Sequence, residues 1–206
     1  VPRASLGDVG EADTDATVRF SLDNIPEGDG AYITLSSRSN KSANSGYRAK
    51  VRVSSEGRLT LYLTRAVGGI ESTLGSYQLP SDVRYSRFET LQVRLQAEGT
   101  SPTKLRAKMW PRTQPEPTGW QLTATDNIEA LQSLRGVALA GHLAGSAPLG
   151  SPVVVRFDDL AVVGPELGNI SPEASFTSLV ANRGVQFTST STDEDGSIVG
   201  QLWSFG

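Results

Sequence analysis

Apolar and polar residues alternate one for one along most of this chain, a pattern that suits half-buried antiparallel strands. Val18, Phe20 and Leu22 face one way, with Thr17, Arg19 and Ser21 between them. Tyr32–Leu35 forms a short segment of the same kind, and Tyr47, Ala49, Val51 and Val53 alternate with Arg48, Lys50 and Arg52. Ser54–Gly57 then reads as a hairpin turn, with glycine supplying a positive φ. Leu59, Leu61 and Leu63 continue the pattern. So do Leu91, Val93 and Leu95 and, after a turn at Gly99–Pro102, Leu105, Ala107 and Met109. Val137 and Leu139 open another strand, and Val153, Val155 and Phe157 the last long one. Many short strands punctuated by turns predict an all-β fold, an antiparallel two-sheet sandwich.

Two local signals refine this. The last long strand changes phase, from odd-numbered apolar positions through Phe157 to even-numbered ones at Leu160 and Val162, with Asp158 and Asp159 at the switch. That predicts a β-bulge. The one helix signal places Asp126 as N-cap of a two-turn helix over 127–132, with Glu129 completing a capping box. Residues 164–168 have linker character, and strand patterns restart at Ala174–Phe176, Val185–Phe187 and Ile198–Phe205.

Composition removes several function classes. Of 206 residues, 37% are hydrophobic, yet no apolar run approaches the ~20 residues of a spanning helix. A net charge of −3 gives no general attraction to nucleic acid. Without cysteine there is neither a disulfide framework nor a thiolate metal site, and one histidine cannot make a multi-histidine site. Val1–Ser5 lacks the apolar core of a signal peptide, as a mature secreted chain would. Gly28-Asp29-Gly30 and Gly68-Gly69 are turn glycines rather than phosphate loops, since neither joins a strand to a helix.

The tail carries the most specific motifs: Asn169–Phe176, Val185–Ile198 with its Asp193-Glu194-Asp195-Gly196 turn, and Trp203–Gly206. These resemble the first half of a PKD domain, an immunoglobulin-like sandwich. Ser21–Pro26, Gly46–Arg52, Ser101–Pro111, Glu116–Trp120 and Val155–Leu160 resemble a concanavalin A-like (laminin-G-like) jelly-roll module of secreted actinobacterial proteins. The resemblance implies a jelly roll over 1–163 lacking its first strands, a linker at 164–168 and a partial PKD domain over 169–206. It transfers no catalytic set. It does imply structural Ca²⁺, with Asp158 or Asp159 helped by Asp23, and with Asn169, Asp193 and Asp195 in the tail. For the first group the other reading is a plain bulge, and for the second a plain Asp-Gly turn.

No catalytic residues emerge. A glycosidase on such a sandwich would place two carboxylates about 5–9.5 Å apart in one cleft, and no pair of acids at i and i+2 flanked by aromatics lies between residues 15 and 163. His142 has no nucleophile motif near it and reads as an ordinary strand or loop residue. Sugar-binding surfaces combine aromatic platforms with planar polar groups. Tyr62, Trp110 and Arg65 are read on polar strand phases, with Trp120 and Tyr77 in loops. The alternative for Trp110 and Trp120 is packing around the Pro111–Pro117 hairpin. Arg48, Lys50 and Arg52 form one basic row, Lys104, Arg106 and Lys108 another, and Arg94 a third. They either recruit an anionic polymer or are solvated outer faces that block sheet-to-sheet association.

The sequence thus predicts a secreted or cell-surface, non-catalytic binding or adhesion module for a glycan or surface polymer. The competing expectation is a structural spacer or assembly protein of a filament or virion surface, completed by a strand from another chain.

Overall fold

The computed structural model describes residues 3–8, 12–147, 152–164, 175–181 and 184–192. The chain divides into two compact units, residues 1–165 and 166–206. The first is an antiparallel jelly-roll sandwich. Its strands are β1 (Arg3–Asp8), β2 (Thr14–Leu22), β3 (Ala31–Asn40), β4 (Ser45–Val53), β5 (Leu59–Val67), β6 (Ile70–Gln78), β7 (Leu91–Glu98), β8 (Thr103–Pro111), β9 (Leu122–Asp126), β10 (Gly136–Leu143) and β11 (Val155–Val163). One sheet runs β1-β10-β3-β4-β5-β6 and the other β11-β2-β7-β8-β9.

The alternation does what it predicts. Val18, Phe20 and Leu22 of β2, Val51 and Val53 of β4, Leu59, Leu61 and Leu63 of β5 and Leu91, Val93 and Leu95 of β7 are all at most 2% exposed, and their side chains meet between the sheets. Each buried aliphatic of this size contributes about 1.5–3 kcal/mol of transfer free energy. The Ser54–Gly57 turn closes on a Gly57 N–H to Ser54 carbonyl bond of 2.9 Å, with Gly57 at φ 74°. In β11 the register against β2 breaks between Asp158 and Ala161, and Asp159 stands at φ 49°. The phase change at Asp158-Asp159 is therefore a β-bulge, and Leu160 and Val162 turn back toward the core.

Three elements differ from the sequence reading. Tyr77 lies in β6, an edge strand whose side chains are mostly exposed, so Ile70–Gln78 carries no alternation to read. The helix is a single turn, α1 (Glu129–Gln132), preceded by Ile128 with no side-chain cap. Asp126 lies two residues before that N-cap and reaches only the Ile128 N–H, at 3.4 Å, while its carboxylate is held mainly by other partners. The Tyr47 hydroxyl donates to it at 3.0 Å, Arg65 pairs with it, and it is 6% exposed. Arg65 shares the odd phase of Leu59, Leu61 and Leu63 and sits opposite core-facing Tyr47, so it turns into the end of the sandwich.

That end is sealed by polar side chains. Arg38, at a break in the β3–β4 register and at φ 47°, is 0% exposed. Its Nε donates to Ala12 O at 3.1 Å, Nη1 to Thr103 Oγ1 at 2.8 Å and Gln132 O at 3.3 Å, and Nη2 to Asp13 Oδ1 at 2.9 Å and Gly99 O at 2.6 Å. All five guanidinium protons are thereby used. In the second unit, β12 (Phe176–Ala181) and β13 (Gly184–Ser189) form an antiparallel hairpin. Asn169, Asp193, Asp195 and the 203–206 motif lie outside the described residues.

Candidate functional site

Each sheet has an outer face, and the sequence places charges on both. On the five-stranded sheet, Arg94, Arg106 and Lys108 stand on β7 and β8. The 112–121 loop folds over two of them. Glu116 accepts from Arg94 Nη1 at 2.6 Å and pairs with Lys108 at 2.8 Å, and the Pro117 carbonyl accepts from Lys108 at 2.8 Å. The Lys108 ammonium lies 4.6 Å from the Trp120 ring centroid and 6.0 Å from that of Trp110. Arg94 is also held by buried Asp15, a pairing that raises its already high pKa. Burial alone would raise Glu116, but bonds from Lys108 and Arg94 hold it below the usual carboxylate range. Arg106 bonds Gln96 at 2.9 Å and lies 3.7 Å from Glu98. Trp110 is 4% exposed and offers no platform. The two tryptophans pack around Lys108, close to the packed alternative named above.

The outer face of the six-stranded sheet is different. Its register sets side chains in rows: Ala138–Ser36–Arg48–Thr64, Ala140–Thr34–Lys50–Tyr62 and His142–Tyr32–Arg52–Thr60. The small residues Ala140, Thr34 and Ser36 make a floor. Glu71 reaches in from β6, opposite Ala66, and accepts from Arg48 Nη1 at 2.7 Å and Lys50 Nζ at 2.6 Å. Asn44 Oδ1 accepts from Arg48 Nη2 at 2.9 Å. Tyr32 and His142 stack with ring centroids 5.0 Å apart and planes 10° from parallel, and Lys50 lies 5.2 Å from the Tyr32 centroid. Thr34, Ser36, Asn44, Arg48, Lys50, Glu71, Ala140 and His142 line an open depression of about 300 Å³, with Tyr32 stacked on His142 beside it.

Electrostatics fix the state of the site. Burial would raise Glu71, but hydrogen bonds and charge from Lys50 and Arg48 hold it below its ordinary value. Burial, then the Lys50 charge, lowers His142. The depression at pH 7 thus holds a carboxylate, a guanidinium, an ammonium, a neutral imidazole, an amide and two hydroxyls. Acceptors and donors alternate over a few ångströms, and none is arranged with a nucleophile. Of the predicted residues, Arg48 and Lys50 line the depression, and Tyr62 flanks Lys50 on β5. Glu71, Asn44, Thr34, Ser36 and the Tyr32–His142 stack were not singled out as ligand-binding in the sequence. Glu71 sits in a segment without alternation, and its role depends on β6 folding beside β5.

Of the predicted metal ligands, the three that are described, Asp23, Asp158 and Asp159, each have a partner within the protein. Asp159 pairs with Arg19, Asp158 Oδ1 accepts the Asp159 N–H at 2.9 Å, and Asp23 Oδ1 accepts the Val154 N–H at 2.8 Å. Among the described residues no group of three or more His, Asp or Glu side chains is placed to hold a metal ion. No described helix is long and apolar enough to cross a membrane. A second cavity of about 690 Å³ opens between β10 and β11, lined mostly by apolar groups including Leu139, Val155 and Phe157.

No family model matches the chain, and no curated protein matches it in sequence. Solved structures with a similar fold include the carbohydrate-binding module CBM66 from Bacillus subtilis, at 19% identity, covering 77% of this chain and 76% of that one, TM-score 0.47. The CBM2 module of the evolved Dit protein of Lactobacillus casei BL23 phage J-1 is 10% identical over 78% of this chain and 66% of that one, TM-score 0.48. Scytalido-glutamic peptidase is 11% identical over 91% and 97%, TM-score 0.48. Binding modules and an enzyme stand side by side among these structures.

Proposed function

We propose that the first unit is a non-catalytic glycan-binding module of a secreted or surface protein, and that a neutral saccharide binds over the outer face of the six-stranded sheet. The observation that supports this most is the Arg48–Glu71–Lys50 trio, exposed by no more than 27% in any member, beside Asn44, Thr34 and Ser36 in an open depression. Adjacent sugar hydroxyls each donate and accept, and planar groups such as a carboxylate, a guanidinium and an amide bond them in pairs. The trio is already hydrogen-bonded internally, so its geometry is set before a ligand arrives. His142, stacked on Tyr32 with ring centroids 5.0 Å apart, borders the depression with a flat ring. In this reading the second unit is a PKD-like spacer.

A glycan array with the intact chain tests this. Binding to uncharged oligosaccharides that is lost in Glu71→Gln, with the variant still folded by circular dichroism at the assay temperature, supports it. Binding that survives Glu71→Gln and Asn44→Ala places the ligand elsewhere.

The assembly reading keeps one specific observation: β6 is a nine-residue sheet edge without Lys or Pro, and Ile70 on it is 78% exposed. Such an edge can accept a strand from another chain. Light scattering that shows mass rising with concentration would favour it.

A further inference from the structure

The basic rows legible in the sequence are largely neutralised by Glu71, Asp15 and Glu116. Two arginines elsewhere are not. Among the described residues neither Arg112 nor Arg156 forms a side-chain hydrogen bond or ion pair, and both are exposed. They lie on the outer face of the five-stranded sheet, on a different face from the depression described above.

The register brings them together. Arg156 of β11 sits opposite Ser21 of β2. Phe20 sits opposite Leu91, so Ser21 is followed across the sheet by Thr90. The Arg112 N–H donates to the Thr90 carbonyl at 2.9 Å. The row therefore reads Arg156–Ser21–Thr90–Arg112, two guanidinium groups bracketing two hydroxyls. Three strand spacings separate the arginine backbones by ~14 Å, a span two arginine side chains close by leaning inward. The side chains border one depression of about 240 Å³. Arg19 stands in the next row, but Asp159 and Gln92 hold it. Asp158 lines the same depression, and one of its oxygens already accepts the Asp159 N–H. Arg19 and Asp159 offset each other, which leaves two positive charges against one negative.

We propose that this depression binds the oxyanion of an acidic polysaccharide: a sulfate, phosphate or carboxylate held by the Arg112 and Arg156 forks. Guanidinium forks bond such groups two oxygens at a time. Ser21 and Thr90 give two further donors beneath. Asp158 opposes a bare dianion but accepts from a hydroxyl, so the arrangement selects an oxyanion on a hydroxyl-bearing scaffold over the free ion. The site is independent of the neutral-saccharide site on the other sheet.

Calorimetric titration of the full chain with dextran sulfate at about 50 mM ionic strength tests the proposal, since exposed charges act most strongly where the screening length is long. The wild type binds. Arg112→Gln/Arg156→Gln, whose side chains are exposed and whose unfolding temperature stays the same, loses at least about tenfold in affinity, the scale of one charge-assisted bond. Arg48→Gln/Lys50→Gln changes it by less than about twofold, below the scale of such a bond. Overturning results are an unbound wild type, a double arginine variant that binds as well as wild type, or loss through Arg48 and Lys50 instead. Inorganic sulfate binding as tightly, per sulfate group, as the polymer would also overturn the polysaccharide assignment.

Discussion

Arg38→Met removes five donors from the sealed end of the sandwich while keeping a long side chain in place. The backbone at φ 47° is equally unfavourable for Arg and Met, so backbone strain cancels between wild type and variant. What remains is the loss of partners. Asp13 keeps the Gly99 N–H at 2.9 Å but loses its ion pair, and the Ala12, Gly99 and Gln132 carbonyls and the Thr103 hydroxyl lose a donor. Arg38 is wholly buried and Asp13 only partly, so loss of the ion pair together with the four other hydrogen bonds is taken to cost about 3–5 kcal/mol, as for one broken buried pair. In a chain of this length each kcal/mol lowers Tm by about 2–4 °C, so the expected drop is about 6–20 °C. Arg38→Lys keeps the charge but offers a point charge where a fork is needed, and falls between the two. Thermal unfolding followed by circular dichroism measures all three. A drop under about 2 °C for Arg38→Met, well below one such ion pair, would refute the reasoning, and so would a lysine variant as stable as wild type.

Other outcomes follow from the same contacts. Gly30→Ala builds a Cβ 2.2 Å from the Val53 carbonyl oxygen at φ 97°, and is expected to destabilise by about 1–3 kcal/mol or more, read as a lower Tm. Burial, then its bond to Asp126, pushes the Tyr47 phenol from 10.0 up to about 12. A raised folded value means a stabilisation that is whole below pH 10.0 and lost as pH rises toward about 12, so Tyr47→Phe should flatten the alkaline fall in Tm. Glu71 is depressed, so its stabilisation is whole above the unfolded value of about 4.3 and lost as pH falls through the lower folded one. The Tm gap between wild type and Glu71→Gln should therefore shrink on acidification below pH ~4, and a constant gap would contradict the pairing.

How far the sequence is legible depends on whether a residue's role is local. Alternation in β2, β4, β5, β7 and β8 reports the core directly, because burial on one face is a property of each strand alone. The bulge was legible for the same reason: two adjacent acids and a parity change lie within one strand. Arg65 was misassigned within reach of the same rule, since its parity is that of Leu59, Leu61 and Leu63. Asp126 and Arg38 could not be read, because their partners come from elements distant in sequence. The depression on the six-stranded sheet needed strand order as well: Arg48 and Lys50 were visible as a basic row, but Glu71 neutralises them only because β6 folds next to β5. The same pairing logic left Arg112 and Arg156 unmatched on the other sheet, which no count of charges along the chain would show.

The most direct test of the account is an NMR titration of the isotopically labelled chain with uncharged oligosaccharides. The account predicts that one class shifts the signals of Thr34, Ser36, Asn44, Arg48 and Glu71 together and leaves those of Arg112 and Arg156 in place. Shifts confined to the five-stranded sheet, or to the β6 edge, would contradict it.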